Sequence, residues 1–570
     1  MEKRWRYCKQ PSPEAIEALS KQINVNPYLS SILIQRGIRT FEDAKSFFRP
    51  SLQNLYDPFL MKDMDAAVNR LRQAIEAKER ILIYGDYDVD GTTAVALVYT
   101  YLKTFHYDCE IYIPDRYAEG YGVSREGIEW ARLNNFSLII ALDCGIKAFE
   151  MVELARDYNV DFIICDHHLP GTAVPSAAAI LDPKQNGCKY PFKELSGCGI
   201  GFKLMQAYAR RYRTEEEVFN YLDLVAVSVA SDVVPICDEN RILTYFGTKK
   251  LNTDPVPGLK ALMEIAGLKS AFDVSGIIFT LGPRINAAGR IDHGSAAVRM
   301  LAARSVEEAR SFAEKLNGNN EERKRYDSDI TEEALSMIEG NEMSRLAKST
   351  VLFKDTWHKG VIGIVAARCI EKYYRPTIIL TESNDKLTGS ARSVQGFDLY
   401  QAICECGDLL EKFGGHKYAA GLTLEKANLL AFQQRFEEVV ASNITPEMLI
   451  PVVDIDTEIV FDAITPKFLN ILKQMGPFGP ENVRPVFVAH GVRVVNSLSR
   501  LKEKHIRFLA GQENNETVFQ VIGFNLAGFY EKLLQCDTFS IAFTIEENTY
   551  NGFTSIQLQV KDIKVSNRNR

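Results

Sequence analysis

The sequence has few of the features that mark a secreted, membrane-bound or zinc-binding protein. Its 570 residues include 3 tryptophans and 11 scattered cysteines. The closest cysteine pair, Cys404 and Cys406, has no second pair at the spacing of a zinc ribbon. We therefore expect reduced thiols in a cytoplasmic protein. No apolar run is long enough to span a bilayer, and the N-terminal segment lacks the apolar core of a signal peptide.

Positive charge and low-complexity sequence are also scarce. The net charge is −7, and charged residues make up 25% of the chain. The average composition therefore does not indicate a nucleic-acid-binding protein, although a local basic groove is compatible with an acidic whole. Hydrophobic residues account for 46%, which is typical of a globular protein. A chain of this length predicts three or four domains.

What the sequence does contain is a clear change of pattern at several points. We predict a helical N-terminal segment, a parallel α/β domain, a charged connecting helix interrupted at Gly318, a smaller α/β domain and an all-β domain. The corresponding ranges are 1–60, 61–304, 305–342, 343–445 and 451–563. The charged segment is equally compatible with a solvated surface helix.

The first α/β domain is organised around an acidic turn. Its predicted strands are residues 81–84, 109–113, 138–142, 161–165 and 177–181. Asp86, Asp88 and Asp90 alternate between two glycines after the first strand, and in an extended backbone they would point the same way. Like charges so close together repel unless a cation lies between them. The alternative is a solvated turn in which Asp90 caps the next helix.

More acidic and histidine residues follow the later strands. Asp143 ends one strand, Asp166-His167-His168 ends another, and Asp232 lies where an apolar helix breaks. The carboxyl ends of strands in an open parallel sheet form a ligand-binding edge. Simpler roles exist for single residues, such as a helix cap for Asp143 or a carbonyl hydrogen bond for His167. Taken together, however, the residues predict one site.

The residue types indicate which metal this site would bind. Carboxylates combined with imidazole favour Mn²⁺, with Mg²⁺ as the alternative. A carboxylate that bridges two ions predicts a pair about 3.5–4 Å apart, which is the arrangement that hydrolyses phosphate esters.

These motifs resemble those of the DHH phosphoesterase superfamily, and most closely its single-strand-specific 5′→3′ DNA exonucleases. The resemblance begins with Asp86-Tyr87-Asp88, Asp143, Asp166-His167-His168 and Asp232. It continues in order nearly to the end of the chain. The later motifs are residues 113–116, 119–122, 282–290, 357–363, 389–393, 414–421 and 476–480.

The resemblance implies which residues bind the metal ions. Asp86 would ligate one ion and Asp88 the other, with Asp143 as the bridge. His167 and Asp232 would complete the ligands of the second ion.

The resemblance also implies catalytic roles for Asp166, His168 and the bridging Asp143. Asp166 would orient its neighbours, and His168 would lie close to the scissile phosphate. Some relatives have a histidine where this chain has Tyr84, which implies weaker binding of the first ion.

Most of the candidate phosphate and DNA contacts lie in glycine-rich segments. Arginine forks suit phosphate oxygens, although surface ion pairing is an alternative for each arginine. The resemblance implies that Arg116, Ser390 and Arg392 help to read a 5′ phosphate and that His416 contacts a nucleotide. The candidates are Arg116, Arg284, Asn286, Arg290, Ser390, Arg392 and His416.

The all-β domain has the strand count of an OB-fold barrel, which binds single strands by stacking bases on aromatic residues over a basic groove. The stacking candidates are Phe508, Phe519 and Phe524, although alternation predicts that most of them fill the core. A cleft between the two α/β domains would admit a single strand and exclude a duplex.

We therefore expect a two-metal exonuclease, using Mn²⁺ or Mg²⁺, that processively hydrolyses single-stranded DNA from its 5′ end to nucleoside 5′-monophosphates in repair and recombination. The family implies single-strand-binding protein and a helicase as partners, and no membrane. One alternative is a phosphodiesterase for short oligoribonucleotides or small nucleotides, but such enzymes usually lack the β domain. The other is a non-catalytic DNA-binding relative, a class that loses the metal carboxylates.

Overall fold

The computed structural model describes residues 2–267, 271–550 and 553–565. The chain divides into two units. One unit comprises Met1–Phe48, Lys324–Met475 and Arg484–Arg570, and the other comprises Arg49–Arg323 and Gly476–Val483. None of the helices in the described ranges combines the length and apolar character needed to cross a bilayer.

The N-terminal segment begins with a strand. Its elements are β1 (Arg4–Tyr7), α1 (Pro13–Ile23), α2 (Pro27–Gln35) and α3 (Phe41–Phe48). Ser12 caps α1 by accepting a hydrogen bond from the Ala15 N–H. The prediction of a wholly helical segment is wrong at β1, because a strand of four residues forms through distant pairing that local periodicity does not reveal.

A five-stranded parallel sheet, in the order β3-β2-β4-β5-β6, forms the core of the first α/β domain. It confirms the predicted architecture. The strands are β2 (Ile81–Gly85), β3 (Cys109–Tyr112), β4 (Leu138–Leu142), β5 (Asp161–Cys165) and β6 (Ala179–Leu181). Side chains alternate between two hydrophobic layers, with Ile81 and Ile83 on one face and Leu82 and Tyr84 on the other. This two-sided burial explains the uninterrupted apolar runs.

Helices cover this sheet and continue beyond it. They are α4 (Met64–Glu76), α5 (Val89–Leu102), α6 (Arg125–Leu133), α7 (Phe149–Asp157), α8 (Gly197–Tyr212), α9 (Leu222–Ser231), α10 (Asp238–Thr253), α11 (Pro257–Ala266), α12 (Val274–Gly276), α13 (Gly282–Ile291) and α14 (Ser295–Leu301). A π-helical turn, Ile277–Leu281, joins α12 to α13.

The connecting segment is one helix of 34 residues, α15 (Val306–Glu339). The predicted interruption at Gly318 is wrong. Glycine lowers the stability of a helix by about 1 kcal/mol relative to alanine, but the surrounding turns maintain the hydrogen-bonding pattern. A Cβ added at Gly318 would meet nothing within 4 Å.

The smaller α/β domain contains a mixed sheet in the order β10-β11-β9-β8-β7. Only β7 and β8 are parallel neighbours; the other neighbouring pairs among these described strands are antiparallel. The elements are α16 (Glu342–Leu346), β7 (Thr350–Phe353), α17 (Ile362–Lys372), β8 (Thr377–Ser383), β9 (Lys386–Arg392), α18 (Leu399–Cys404), β10 (Lys412–His416), β11 (Ala419–Leu424) and α19 (Leu429–Asn443).

The C-terminal domain is built on five long strands, each with a neighbour on both sides. The pairs are β14–β15, β15–β16, β16–β18, β18–β17 and β17–β14. The elements are β12 (Val452–Ile455), β13 (Thr457–Glu458), α20 (Pro466–Gln474), β14 (Phe487–Leu501), β15 (His505–Gln512), β16 (Val518–Gly523), α21 (Tyr530–Gln535), β17 (Phe539–Tyr550) and β18 (Phe553–Val565). Phe508 and Phe519 are buried in its core, whereas Phe524 is 49% exposed.

The strand β1 belongs to this C-terminal region. It pairs in parallel with β12, so that Arg4 lies opposite Val452. Trp5 packs in a small apolar cluster with Ile455, Val488 and Ala542. Its indole N–H donates to Asp562 Oδ2 at 2.7 Å, which satisfies the one polar atom of a buried side chain.

Candidate metal centre

The candidate site lies at the carboxyl edge of the parallel sheet. Asp86 follows β2, Asp143 follows β4, and Asp166-His167 follows β5. Asp232 is the C-terminal cap of α9, and its N–H donates to Ser228 O at 2.9 Å. The structure thus brings together the acidic residues that the sequence placed at one edge.

His167 stands at the centre of three carboxylates. Its Nε2 atom lies 3.2 Å from Asp143 Oδ1, 3.5 Å from Asp232 Oδ2 and 3.7 Å from Asp90 Oδ2. Ligand atoms of Asp90, His167 and Asp232 all lie within 4.8 Å of one another, as do those of Asp143, His167 and His168. This spacing is compact enough for the ligands of one or two divalent cations.

Backbone geometry fixes Asp143 in this position. The residue adopts a left-handed conformation with φ 59°, and its N–H donates to Cys165 O at 2.9 Å. The first residue of α8, Gly197, packs directly against it. A Cβ at Gly197 would lie 2.6 Å from Asp143 Cβ, so the close approach of α8 requires glycine.

The sequence predicts an extended backbone for the whole acidic turn after β2. The structure differs, because a helix begins within the turn. Helix α5 begins at Val89, and Asp88 caps it by accepting a hydrogen bond from the Gly91 N–H at 3.0 Å. Asp90 therefore lies in the first helical turn, and its carboxylate faces His167. The alternative prediction that an aspartate of this turn caps the next helix is confirmed. The capping residue, however, is Asp88 and not Asp90.

The donor set fits a divalent cation. Asp86 is fully buried, and within the described part of the chain neither of its carboxylate oxygens has a hydrogen-bond partner. Burial, followed by the charge of Asp88, raises the pKa of Asp86 well above its usual value. Burial and the charges of Asp90 and Asp88 do the same to the pKa of Asp143. Desolvated carboxylates that repel one another are stabilised by a bound metal ion.

The pair Asp166 and His168 is the exception in this acidic site. Burial favours a high pKa for Asp166, but hydrogen bonds from His168 and backbone N–H groups outweigh it and lower the pKa to about 2. Burial likewise opposes the charge on His168, but its 2.7 Å bond to Asp166 raises the pKa of this imidazole to about 9. The two side chains therefore form an ion pair at neutral pH.

The side chain of Tyr84 is engaged by partners outside the acidic cluster. Its hydroxyl donates to Gly122 O at 3.0 Å and accepts from the Ser124 N–H at 3.0 Å. Its ring stacks on Tyr112 at 5.2 Å. These partners hold the Tyr84 side chain in the hydrophobic layer that also contains Leu82.

The arginines predicted to contact phosphate in this unit have protein partners. The guanidinium of Arg116 lies 5.0 Å from the centre of the Tyr87 ring. Arg284 donates to Asn317 Oδ1 at 2.9 Å and to Thr280 O at 2.8 Å. Asn286 and Arg290 are half-buried on α13.

In the smaller α/β domain, the predicted DNA contacts share one face of the mixed sheet. Ala419 pairs with His416 on one side and with Arg392 on the other. Ser390 lies two residues before Arg392 on β9, and its Oγ is 3.1 Å from Arg392 Nη1. Paired residues and residues two apart project from the same face of a sheet, so the three side chains form one polar group.

Sequence reasoning missed two residues of the site. Asp90 was included in the acidic turn but not among the predicted metal ligands, yet it is Asp90 rather than Asp88 that lies beside His167. The alternation of Asp86, Asp88 and Asp90 was the sequence feature that could have identified Asp90 as a site residue. Tyr121, whose hydroxyl is 3.2 Å from His168 Nε2, lies in a quoted motif but was assigned no role, and nothing in its local sequence indicates this contact.

The parallel sheet, the histidine pair and the surrounding carboxylates define a DHH-class protein with an acidic metal-binding edge. The family model described as the DHH family, N-terminal domain, matches residues 80–229. The DHHA1 domain matches residues 346–442, and the RecJ OB domain matches residues 455–562.

The chain belongs to the RecJ family. It is 35% identical over 568 residues to the single-stranded-DNA-specific exonuclease RecJ of Bacillus subtilis, covering 99% of this chain and 71% of that protein. It also resembles the crystal structure of Thermus thermophilus RecJ in complex with Mn²⁺, with a TM-score of 0.85 and 26% identity over 99% of this chain and 80% of the other. The corresponding Mg²⁺ complex gives a TM-score of 0.79 and 25% identity, covering 99% and 78% of the two chains.

Proposed function

We propose that this protein is a metal-dependent exonuclease that hydrolyses single-stranded DNA from its 5′ end to nucleoside 5′-monophosphates in DNA repair and recombination. The observation that carries the proposal is the group of carboxylates around His167, with Asp143 Oδ1 at 3.2 Å from Nε2. Family membership supports the substrate, because the B. subtilis relative is a single-stranded-DNA-specific exonuclease.

Mn²⁺ or Mg²⁺ is the cofactor that these residues fit, and related RecJ structures contain each of them. Asp90, Asp143, His167 and Asp232 would hold one ion. Asp86, Asp88 and the shared Asp143 would hold a second. Ions at such sites supply a bound water of lowered pKa and neutralise charge on the phosphate.

The ion pair of Asp166 and His168 supplies the other chemical function. The low pKa of Asp166 keeps its carboxylate charged, and this charge keeps the imidazole of His168 protonated at neutral pH. Nδ1 of His168 is committed to Asp166, so Nε2, beside the hydroxyl of Tyr121, remains to donate a hydrogen bond to a phosphate oxygen or a leaving group. Charge-assisted donors of this kind stabilise developing negative charge.

The polar group of Ser390, Arg392 and His416 suits recognition of a terminal phosphate. A guanidinium and a hydroxyl on neighbouring positions of one sheet face provide several donors for a single phosphate. A 5′ end must be single-stranded to be reached, so we include a helicase and single-strand-binding protein among the proposed partners and place the work in the cytoplasm. The proposed domains are residues 61–304, 343–445 and 451–563, with 305–342 as the connector.

The substitution Asp143→Asn tests this function. It keeps the volume of the side chain but removes the charge that the ions require. We expect the rate of nucleotide release from 5′- and 3′-end-labelled single strands, assayed with Mn²⁺ and with Mg²⁺, to fall at least about a thousandfold, since several kcal/mol of barrier lowering depends on the ions. Asp65→Asn, at an exposed surface ion pair with Arg211, is the matched control. Turnover of D143N at the rate of the control would refute the proposal.

A further inference from the structure

Ser228 is a hydroxyl residue in an otherwise apolar stretch of α9. The sequence of this helix is LDLVAVSVAS, and Ser228 is fully buried. A buried serine inside a helix ordinarily bonds the carbonyl one turn earlier. Here the hydroxyl instead lies 2.7 Å from Asp90 Oδ1, a partner 138 residues away in sequence. The Ser228 hydroxyl therefore connects α9 to α5.

The hydrogen bonds around Ser228 run in one direction. A hydroxyl has one proton to donate, and a charged carboxylate only accepts, so Ser228 donates to Asp90. Ser196 Oγ, at 2.6 Å, then donates to Ser228 Oγ. Ser196 is the N-terminal cap of α8 and accepts from the Gly199 N–H at 3.1 Å. Because Ser228 gives its single proton to Asp90, its oxygen serves as the acceptor toward Ser196.

The N-terminus of α8 holds the same carboxylate from another side. The Gly197 N–H donates to Asp90 Oδ2 at 2.6 Å, and the Cys198 N–H donates to Oδ1 at 2.8 Å. Asp90 Oδ1 thus has two donors, whereas Oδ2 has one and also faces His167 Nε2 at 3.7 Å. Because Oδ1 is held by two donors and Oδ2 by one, these hydrogen bonds fix the orientation of the Asp90 carboxylate about its χ2 torsion.

We propose that Ser228 is a positioning residue for metal binding. By fixing Oδ1 of Asp90, its hydroxyl directs Oδ2 toward His167 and Asp232, where an ion would be held. Ser196 orients the hydroxyl, and Gly197 allows α8 to contact Asp90 and Asp143 together. The inference rests on the proposed metal-dependent function and adds a residue that does not touch the metal or the DNA.

The test measures Mn²⁺ binding to the DNA-free protein by titration calorimetry in wild type and Ser228→Ala. Loss of partners that orient a metal ligand typically lowers affinity by 10–100-fold, and we expect an effect of about this size. The Mn²⁺ concentration for half-maximal hydrolysis should rise in parallel, while KM for single-stranded DNA at saturating Mn²⁺ stays unchanged. Ser30→Ala, at a fully buried serine on α2, is the matched control and should bind Mn²⁺ as wild type does.

Equal Mn²⁺ affinities of wild type and S228A would overturn the inference. If S228A does not fold, Ser228→Cys replaces it, because a thiol of similar size is a weak donor, and the same comparison decides the question. The proposed function has a separate outcome. Wild-type protein that binds Mn²⁺ more tightly than S228A, yet releases no nucleotides from DNA, would reject the exonuclease and support the positioning role.

Discussion

At the scale of single residues, Asp232 makes the stability of the metal-free protein depend on pH. Burial, with the charges of Asp90 and Asp88, raises its pKa from 3.8 to about 8. As pH rises between these values, the unfolded chain loses its proton more readily than the folded protein, so folding becomes less favourable. We expect the Tm of metal-free protein to fall between pH 4 and pH 8, and Asp232→Asn to show a shallower fall.

Thermal unfolding in a chelator, followed by the same series with Mn²⁺, checks this expectation. The ion should raise Tm most at the alkaline end, because there the carboxylates are charged and repel one another. Asp65→Asn again serves as the control and should keep the wild-type slope. A Tm that rises with pH in the metal-free protein would contradict the assignment.

Strand ends were sufficient to predict most of the acidic cluster, because parallel topology brings them to one edge. Asp86, Asp143 and His167 could be assigned in this way, whereas Asp232 was found from the break at the end of an apolar helix. The choice between Asp88 and Asp90 depended on where α5 begins, and aspartate is favourable both at the cap and in the first turn. Which aspartate meets His167 is therefore decided by packing against α8 and α9, which is not visible in a local pattern.

At the scale of elements, two glycines inside helices should respond oppositely to alanine. A Cβ at Gly318 of α15 would meet nothing within 4 Å, whereas a Cβ at Gly247 of α10 would lie 2.1 Å from Leu222 O. We expect Gly318→Ala to raise the free energy of unfolding by about 1 kcal/mol. Gly247→Ala should lower it, because α9 and α10 must move apart.

Denaturant unfolding of the two variants, followed by circular dichroism, provides the measurement. An equal response of the two glycines would show that intrinsic helix propensity, and not interhelical contact, sets their effect. The same contrast explains why the predicted break in α15 was wrong. Composition identified a weak helix former at Gly318, but a break also requires a backbone or packing conflict, which that position lacks.

At the scale of the whole molecule, β1 connects the start of the chain to residues near its end. Trp5 is 9% exposed and donates its indole hydrogen bond to Asp562. We expect Trp5→Ala to destabilise the C-terminal domain by about 3–5 kcal/mol, as loss of a buried aromatic side chain does. Arg6→Ala, which removes a half-exposed ion pair with Asp454, should cost less than about 1 kcal/mol.

Hydrogen exchange of β14 and β17 in the two variants distinguishes these effects. Faster exchange in W5A than in R6A is the expected result, and equal protection would show that β1 is dispensable for the domain. The all-β pattern of residues 451–563 could be recognised from alternation and turns. The contribution of β1 could not, because its partner is separated from it by most of the sequence.

The pairing of Arg4 with Val452 also determines when β1 can fold during synthesis, because β1 cannot pair until β12 has been translated. A ribosome adds about 5–20 residues per second, and the two residues are 448 positions apart (452 − 4). β1 is therefore translated about 20 to 90 s before its partner β12. During that interval the nascent chain carries β1 as an unpaired strand with an uncovered tryptophan, so β1 can reach its final place only after most of the sequence beyond it has been made.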